Sequence, residues 1–280
     1  MTIITTNDDR RYQTPSIGRS FAAVTVGGSA TTAVALVVNK QIEDLVGDKS
    51  SKMSQACDAN TLKQGIDDAF KKSGLPEKGV KFLNVNEKTE LKSVFDVLPA
   101  PIRNLFSPLE AIKKGKNAGY IFETKQVLVN VDKIGLSAFH EMGHAVNQNF
   151  SKFWKSMQGL RIPMQNLSGL FILTALLKRK KAEGEEPKNG FDRATTFIKN
   201  NVGKLVALTF VPIIAEELMA THNGNKIAEK VLDKAMLKKV KNFNKVGAMT
   251  YIVGAILAGL AAVTGSKVRD AIAKPKEISD

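Results

Sequence analysis

The sequence predicts a mostly helical α+β fold, built from one short strand, a helix that carries two histidines, and two to four apolar helices. Three observations lead to this prediction. Four stretches of the 280 residues are apolar and poor in charge. Residues 127–131 alternate valine with leucine and asparagine, which is typical of a half-buried strand. His140 and His144 are four residues apart, so a helix would place both on one face.

The first apolar stretch, residues 21–38, contains no charged side chain. Its threonines, serine and glycines weaken it as a membrane span, and three interpretations stay open. It is a retained membrane helix, a buried helix of a soluble domain, or the core of a signal peptide with a small-x-small cleavage sequence at 33–35. Asp8 and Asp9 precede it, which is unusual for a signal peptide and favours the membrane helix.

The last apolar stretch, residues 247–266, is uncharged over about the length that a bilayer requires. Gly254 and Ala258 are four residues apart, as are Ala255 and Gly259. Small residues at this spacing let helices approach closely in lipid. Membrane association is therefore favoured, and membrane lipid is an expected partner.

Two shorter apolar stretches, residues 162–177 and 205–215, lie on either side of a charged loop. They are short for membrane spans and could instead be buried core helices. Basic residues in the segment 178–204 and in the segment 226–245 nearly balance, so the positive-inside rule fixes no orientation.

The remaining segments predict soluble structure. Residues 59–72 have the apolar spacing of a helix, which Gly74 and Pro76 end. Further turns are expected at Pro99, Pro101 and Pro108. The lysine-rich segment 226–245 is predicted to be one amphipathic helix, whose lysines form a solvated face or contact lipid. Its apolar side is expected to carry Ile227, Val231, Leu232 and Ala235.

Composition narrows the possible functions. The net charge of +14 would suit nucleic acid, but the chain has no helix-turn-helix pattern or zinc finger, and one Trp and three Tyr offer few stacking platforms. We therefore predict no nucleic-acid partner and a basic rim on anionic lipid. The single Cys57 excludes an intramolecular disulfide and a Cys-rich zinc site, so metal chemistry must use the three histidines and the acids.

The segment 137–146 contains the motif HExxH, with His140, Glu141 and His144 in order. On a helix both imidazoles can bind a single zinc ion. Glu141 lies about 100° round the helix from His140, where a general base can take a proton from the water that the metal activates. Phe139, Met142 and Val146 would anchor the opposite side, and Asp132 is the predicted N-cap. The alternative is a pair of exposed helix histidines beside an acid.

A catalytic zinc site requires a third protein ligand. Phe150 stands where a metzincin would have its third histidine, so acids or His222 remain. Glu216 and Glu217 end an apolar stretch, and Glu217 is preferred because Ala220 lies on its face and would allow two helices to approach. A plain acidic cap on an apolar helix is the alternative.

Two neighbours of Glu217 are candidates for supporting roles. Thr221 lies four residues beyond it and could bond a metal ligand. His222 is expected about 140° away from Glu217, so it is a surface histidine or, if Asn223 and Gly224 end the helix and let it fray, a group that stabilises an oxyanion.

These residues resemble a known group. HEMGHA, an apolar segment 160–177 and then the sequence from Glu217 to Thr221 resemble the bacterial membrane-bound neutral zinc metallopeptidases, over about residues 127–228. They are more distantly similar to the CAAX prenyl protease and heat-shock membrane peptidase group, in which ExxA follows HExxH. The resemblance implies a gluzincin-like arrangement, with His140, His144 and Glu217 as ligands, Glu141 as base, and a site at a membrane surface, here the bacterial inner membrane. The prenyl-protease group commonly has Asp at the position of Thr221.

The sequence thus predicts a zinc metallopeptidase with a zincin-like helix pair, acting on a peptide or protein substrate that lies extended along the strand at 127–131. We divide the chain into a tail and anchor (1–39), a soluble helical region (40–126), a catalytic core (127–246) and a C-terminal apolar helix with a basic tail (247–280). The rival interpretation is a catalytically silent membrane scaffold or metal-binding protein. An intact HExxH argues against it, because a silent protein has no physical need for Glu141. The oligomeric state and the cleavage specificity do not follow from the sequence.

Overall fold

The structure is a computed structural model that describes residues 3–5, 10–89 and 108–278, apart from the side chains of residues 5, 38–47 and 108. The predictions for Pro99 and Pro101 lie outside these residues. The helices are α1 (Ile17–Gln55), α2 (Ala59–Lys72), α3 (Pro108–Lys113), α4 (Val131–Ile134), α5 (Ser137–Phe150), α6 (Lys152–Gly159), α7 (Arg161–Leu177), α8 (Gly190–Thr209), α9 (Val211–Glu229) and α10 (Lys234–Ile272). The strands are β1 (Ile3–Thr5), β2 (Arg11–Gln13), β3 (Lys81–Asn84), β4 (Gly119–Ile121), β5 (Gln126–Val129) and β6 (Lys276–Glu277). The predicted mostly helical α+β class is confirmed.

The chain forms two compact units, each built from separate segments. Unit 1 comprises Met1–Lys40, Arg161–Val211 and Val253–Asp280, and unit 2 comprises Gln41–Leu160 and Pro212–Ile252. Unit 1 contains the sheet β1-β2-β6, and unit 2 contains the sheet β3-β5-β4.

Unit 2 has an apolar core that includes one side of α2 and one side of α5. The predicted helix 59–72 is confirmed as α2, whose first turn is capped by the Asp58 carboxylate accepting from the Thr61 amide at 2.8 Å. Leu62 and Ile66 of α2 are buried with Phe139 and Met142 of α5. The apolar side of α5 therefore faces the core, as predicted, and its histidine side is left for other contacts.

The predicted strand exists but is shorter and more buried than expected. β5 ends at Val129, and Val127, Leu128 and Val129 are all buried. The prediction of a half-buried strand is wrong because both faces are covered: Val127 and Val129 lie in the main core, and Leu128 packs in a second cluster with Ile112.

β5 is also the central strand of its sheet. It pairs with β3 in parallel and with β4 antiparallel, so neither of its edges is open to an extended peptide. The predicted substrate position along residues 127–131 is therefore wrong. The outer strand β4 contacts the helix α5, and Asn149 of α5 donates a 2.9 Å hydrogen bond to the Tyr120 hydroxyl of β4.

Helix caps differ from the prediction just before the HExxH helix. The Asn130 carboxamide, and not Asp132, caps the short helix α4, and Asp132 is exposed in its first turn. α5 then begins at Ser137, whose hydroxyl donates to the Ile134 carbonyl at 2.7 Å. The prediction failed because the strand ends early and a turn of helix lies between it and α5.

Two predicted continuous segments are interrupted. The apolar stretch 205–215 is divided at Phe210, where α8 ends and α9 begins. Pro212 lies in the first turn of α9, and a proline there would clash with the carbonyl of residue 208 if α8 simply continued. The segment 226–245 is divided between α9 and α10, since the Asp233 carboxylate accepts from the Met236 amide at 2.8 Å and starts a new helix. This shift in register exposes Ala235 and buries Met236 instead.

Three helical segments of the described chain are long and apolar enough to cross a membrane: Ile17–Val37, Lys152–Leu177 and Lys234–Ile272. In unit 1 the large apolar side chains of the helices lie mostly on the outside, among them Phe21, Leu36, Leu170, Leu173, Phe197, Leu208, Ile256 and Leu260. The buried side chains of the same helices include several polar ones, namely Thr31, Ser168, Lys199, Thr209, Ser266 and Arg269.

Glycines bring the helices of unit 1 together. A Cβ on Gly27 would lie 2.7 Å from the Gly265 carbonyl oxygen, and one on Gly259 would lie 2.6 Å from that of Gly203. Gly254 faces open space, so only Gly259 of the two glycines singled out by their spacing makes a close backbone contact. Since glycine has no Cβ, α1 and α8 both approach the C-terminal half of α10 at backbone distance.

Charged side chains in unit 1 join the ends of its helices. Asp270 accepts from Lys199 at 2.8 Å and from Arg269 at 3.1 Å. The same two cations donate to the Ala175 and Leu176 carbonyls, each at 3.0 Å. These carbonyls belong to the last turn of α7, which has no partners for them within its own helix.

Candidate metal centre

The site is formed by α5 and α9, whose backbones touch at two glycines. A Cβ on Gly143 would overlap the Ala220 carbonyl, and a Cβ on Gly224 would overlap that of Phe139. Ala220 is completely buried between the helices. The small residue expected at 220 therefore does permit close approach, and two glycines that the sequence analysis did not use are equally necessary.

Three ligand atoms converge at this crossing. His140 Nε2 lies 3.1 Å from Glu217 Oε2 and 3.1 Å from His144 Nε2, and His144 Nε2 lies 3.4 Å from Glu217 Oε2. Zinc bound tetrahedrally at about 2.0–2.1 Å separates its ligand atoms by roughly 3.3 Å. The triangle thus has the size that a zinc ion requires, and the described residues can hold a metal ion here.

Each histidine has a partner for its other ring nitrogen. His144 Nδ1 lies 2.8 Å from Glu216 Oε1, and His140 Nδ1 lies 3.2 Å from the Thr221 hydroxyl oxygen. Metal-binding histidines generally bond a carboxylate, carbonyl or hydroxyl in this way, which fixes the tautomer and the orientation of the ring. Thr221 therefore contacts His140, one of the three candidate ligands, as its spacing indicated.

Glu216 is itself held by amides. Asn147 Nδ2 donates to Glu216 Oε1 at 2.8 Å, and Asn223 Nδ2 donates to Asn147 Oδ1 at 2.7 Å. Glu216 is fully buried, so these contacts satisfy a carboxylate that would otherwise be costly to remove from water. Glu216 is therefore not a mere acidic cap on an apolar helix, because its carboxylate contacts His144, one of the three candidate ligands.

The charges around His144 and Glu217 favour a cation at this site. Burial by itself would lower the pKa of His144, but the Glu217 carboxylate and then Glu216 raise that pKa well above its usual range. Burial would likewise raise the pKa of Glu217, and His144 with His140 holds it well below its usual range. Two carboxylates facing one imidazole favour positive charge, supplied either by a proton or by a metal ion.

Glu141 and His222, the other predicted site residues, are not among the three converging ligands. Glu141 is buried on α5 next to His140. The His140 side chain keeps 13% of its surface exposed, so the site is accessible from that side. His222 is exposed on α9, which continues to Glu229. The prediction that Asn223 and Gly224 end this helix is wrong, and no fraying turns His222 toward the metal ligands.

Sequence reasoning considered Glu216 only as an alternative metal ligand, and it missed Asn147, Asn223 and the two glycines. A helical wheel selects one acid for the metal face and says nothing about what its neighbour contacts. The available signal was the acidic pair itself: two histidines each need a partner at the second nitrogen, and a carboxylate next to a ligand on the facing helix is well placed to be one.

Comparison of this chain with family models, with curated proteins and with solved structures finds no match.

Proposed function

We propose that this protein is a zinc-dependent peptidase that cleaves peptide bonds at a membrane surface. The observation that carries the proposal is the convergence of His140, His144 and Glu217 around one point, with Glu141 directly after His140 in the sequence. Within the described residues only these three side chains form such a group, which leaves a fourth tetrahedral position open. Structural zinc sites generally fill all four positions with protein ligands, and catalytic sites do not.

In the proposed reaction the protein residues have separate tasks. A zinc ion held by the three ligands would lower the pKa of a coordinated water toward neutrality and polarise the scissile carbonyl. Glu141 takes the proton of the attacking water and returns it to the leaving amine. His144 donates through Nδ1 to Glu216, and His140 through Nδ1 to Thr221, so that both Nε2 atoms stay directed at the ion.

We propose that the substrate binds at β4 and not at β5. The outer edge of β4 has no strand partner among the described residues, and β4 contacts α5. An extended peptide that added to this edge would gain backbone hydrogen bonds beside the metal helix. The silent-scaffold alternative leaves the buried Glu141 beside the accessible His140 without a purpose.

The outward apolar side chains and inward polar ones of unit 1 support the membrane part of the proposal. Such an arrangement is unfavourable in water and suits hydrocarbon, where charged groups are kept inside a helix bundle. Resistance of the native protein to extraction by carbonate tests this part separately.

The central experiment compares zinc content with peptide cleavage. We expect about one zinc per chain after purification without chelator. Glu141→Gln should keep the zinc while cleavage falls about 10²–10⁴-fold, because only the general base is lost. Glu217→Ala should lose zinc and cleavage together.

Glu229→Gln provides the matched control, since Glu229 is exposed on the same helix as Glu217. It should change neither zinc content nor cleavage. Folded wild-type protein without zinc would refute the proposal, and so would cleavage that survives Glu141→Gln unchanged.

A further inference from the structure

The short helix α6, which follows the HExxH helix directly, presents an unusual surface. Phe153 is 62% exposed and Phe150, the last residue of α5, is 49% exposed. Lys152 and Lys155 are exposed on the same short segment. Trp154 packs edge to face on Phe153 with ring centroids 4.9 Å apart. Exposed aromatic rings between lysines are typical of segments at the boundary between hydrocarbon and lipid headgroups.

The length of the segment agrees with that location. The apolar segment Lys152–Leu177 has 26 residues, which as helix measures about 39 Å, whereas the hydrocarbon of a bilayer is about 30 Å thick. The 17 residues of α7 alone measure about 25 Å. Because α6 directly precedes α7 in the chain, a membrane span formed by α7 would begin close to α6.

A hydrogen bond links α6 to the metal-binding helix. Gln158 Nε2 donates to the His144 carbonyl at 3.2 Å. Gln158 lies near the end of α6 that leads into α7, and His144 is one of the three converging ligands. The position of α6 relative to a bilayer therefore determines how far the candidate metal centre stands from that bilayer.

We propose that α6 is a membrane-interface anchor, in which Phe150 and Phe153 enter the boundary of the hydrocarbon while Lys152 and Lys155 contact anionic lipid headgroups. A lysine attracts a negatively charged leaflet within a Debye length of its surface. The occupant of this face is thus the anionic bilayer itself. The consequence for substrates rests on the proposed function: the cleaved peptide bonds lie in segments close to the bilayer surface.

The chain contains a native probe for this proposal, because Trp154 is its only tryptophan. Full-length protein is reconstituted into vesicles of phosphatidylcholine and phosphatidylglycerol in equal amounts. The lipids carry bromine either near the headgroup end of the acyl chain or near its middle, and bromine quenches tryptophan at short range. We expect stronger quenching of Trp154 by the shallow bromine. Stronger quenching by the deep bromine would make α6 part of a membrane span, and no quenching by either would place it in water or against protein. Both results would overturn the proposal.

A charge variant tests the anionic partner. In Lys152→Gln/Lys155→Gln the dependence of Trp154 emission on phosphatidylglycerol should be lost. The matched control is Lys71→Gln/Lys72→Gln, which removes two adjacent exposed lysines from α2 in the same unit. The control should keep the wild-type dependence, and equal loss in both variants would show a general effect of protein charge and refute a specific role for α6.

A cleavage assay tests the membrane anchor separately from the proposed peptidase function. One peptide sequence is offered either free in solution or tethered to a lipid by a short linker. Lys152→Gln/Lys155→Gln should slow cleavage of the tethered peptide and leave cleavage of the free peptide unchanged. If neither peptide is cleaved by wild type, the peptidase proposal fails while the quenching result still decides the location of α6. If the variant slows both equally, the anchor does not act through the membrane.

Discussion

The two units of the protein have opposite interiors. Unit 2 buries apolar side chains such as Ile66 and Phe139, and among its buried polar side chains are those at the candidate metal centre. Unit 1 buries Lys199 and Arg269, and its leucines and phenylalanines lie mostly on the outside. Large apolar side chains are therefore mostly buried in unit 2 and mostly exposed in unit 1. This difference indicates that the surface of unit 1 suits an apolar environment and that of unit 2 suits water. In unit 2 some of the buried polar groups could hold a metal ion, whereas in unit 1 they join helices whose outer surfaces are apolar.

The largest expected effect tests the polar interior of unit 1. Asp270→Asn removes the carboxylate shared by Lys199 and Arg269 and leaves two buried cations without their counter-ion. Breaking such a group typically costs about 3–5 kcal/mol of folding free energy. Thermal unfolding in detergent measures the loss. Asp67→Asn, on the exposed side of α2, is the control and should have little effect. Equal stability of the two variants would show that the buried charged group of unit 1 does not stabilise the fold.

A pair of glycine substitutions compares the helix contacts of the two units. Gly224→Ala would overlap the Phe139 carbonyl and push α5 and α9 apart, so we expect a loss of about 1–3 kcal/mol and weaker zinc binding. Gly254→Ala in unit 1 meets open space and should be neutral or stabilising by up to about 1 kcal/mol through helix propensity. Chemical unfolding and zinc content measure both variants. A Gly224→Ala protein that binds zinc normally would show that the crossing is looser than its backbone contacts indicate.

A further substitution tests whether a buried polar group of unit 2 contributes to metal affinity or to the stability of the fold. Glu216→Gln keeps the shape of the side chain but removes the charge that faces His144 Nδ1. Loss of such a partner typically lowers metal affinity about 10–100-fold. Competition with a chelator measures the affinity, and circular dichroism should show an unchanged fold. If stability falls and affinity does not, Glu216 is a structural residue like those of unit 1.

The smallest effect concerns protons at the same site. The Glu217 and Glu216 carboxylates raise the pKa of His144 well above its usual range, so its imidazole holds a proton more firmly than a free histidine does. Metal binding requires the neutral ring and must displace that proton. Zinc affinity should therefore rise with pH by at most about tenfold per unit until the pKa of His144 is passed. Calorimetry in two buffers of different ionisation enthalpy counts the released proton. Affinity that is independent of pH below that point would contradict the charge pairing with Glu217.

Features that depend on residues close together in the sequence could be predicted, whereas features that depend on distant segments could not. Both ends of α2 could be predicted because its cap at Asp58 and the breaker at Gly74 are local. The pairing of His140 with His144 could be predicted for the same reason, since four residues make one helical turn. The burial of Leu128 could not, because it depends on Ile112 from a distant segment.

Two other failures had local signals that were not used. Pro212 marks the start of α9, and Asp233 marks that of α10. The zincin-like fold and the family resemblance stay predictions, since the geometry of four or five side chains can arise on different folds.

The order of segments along the chain has a consequence for biosynthesis. Both histidine ligands are made before the helices α7 and α8, and Glu217 is made after them. The interval from residue 144 to residue 217 is 73 residues, or roughly 4–15 s of translation at 5–20 residues per second. A nascent chain thus holds only two of the three candidate ligands while the helices between them are being made. The candidate metal site would be complete only after Glu217 has been added, when α7 and α8 are already part of the chain.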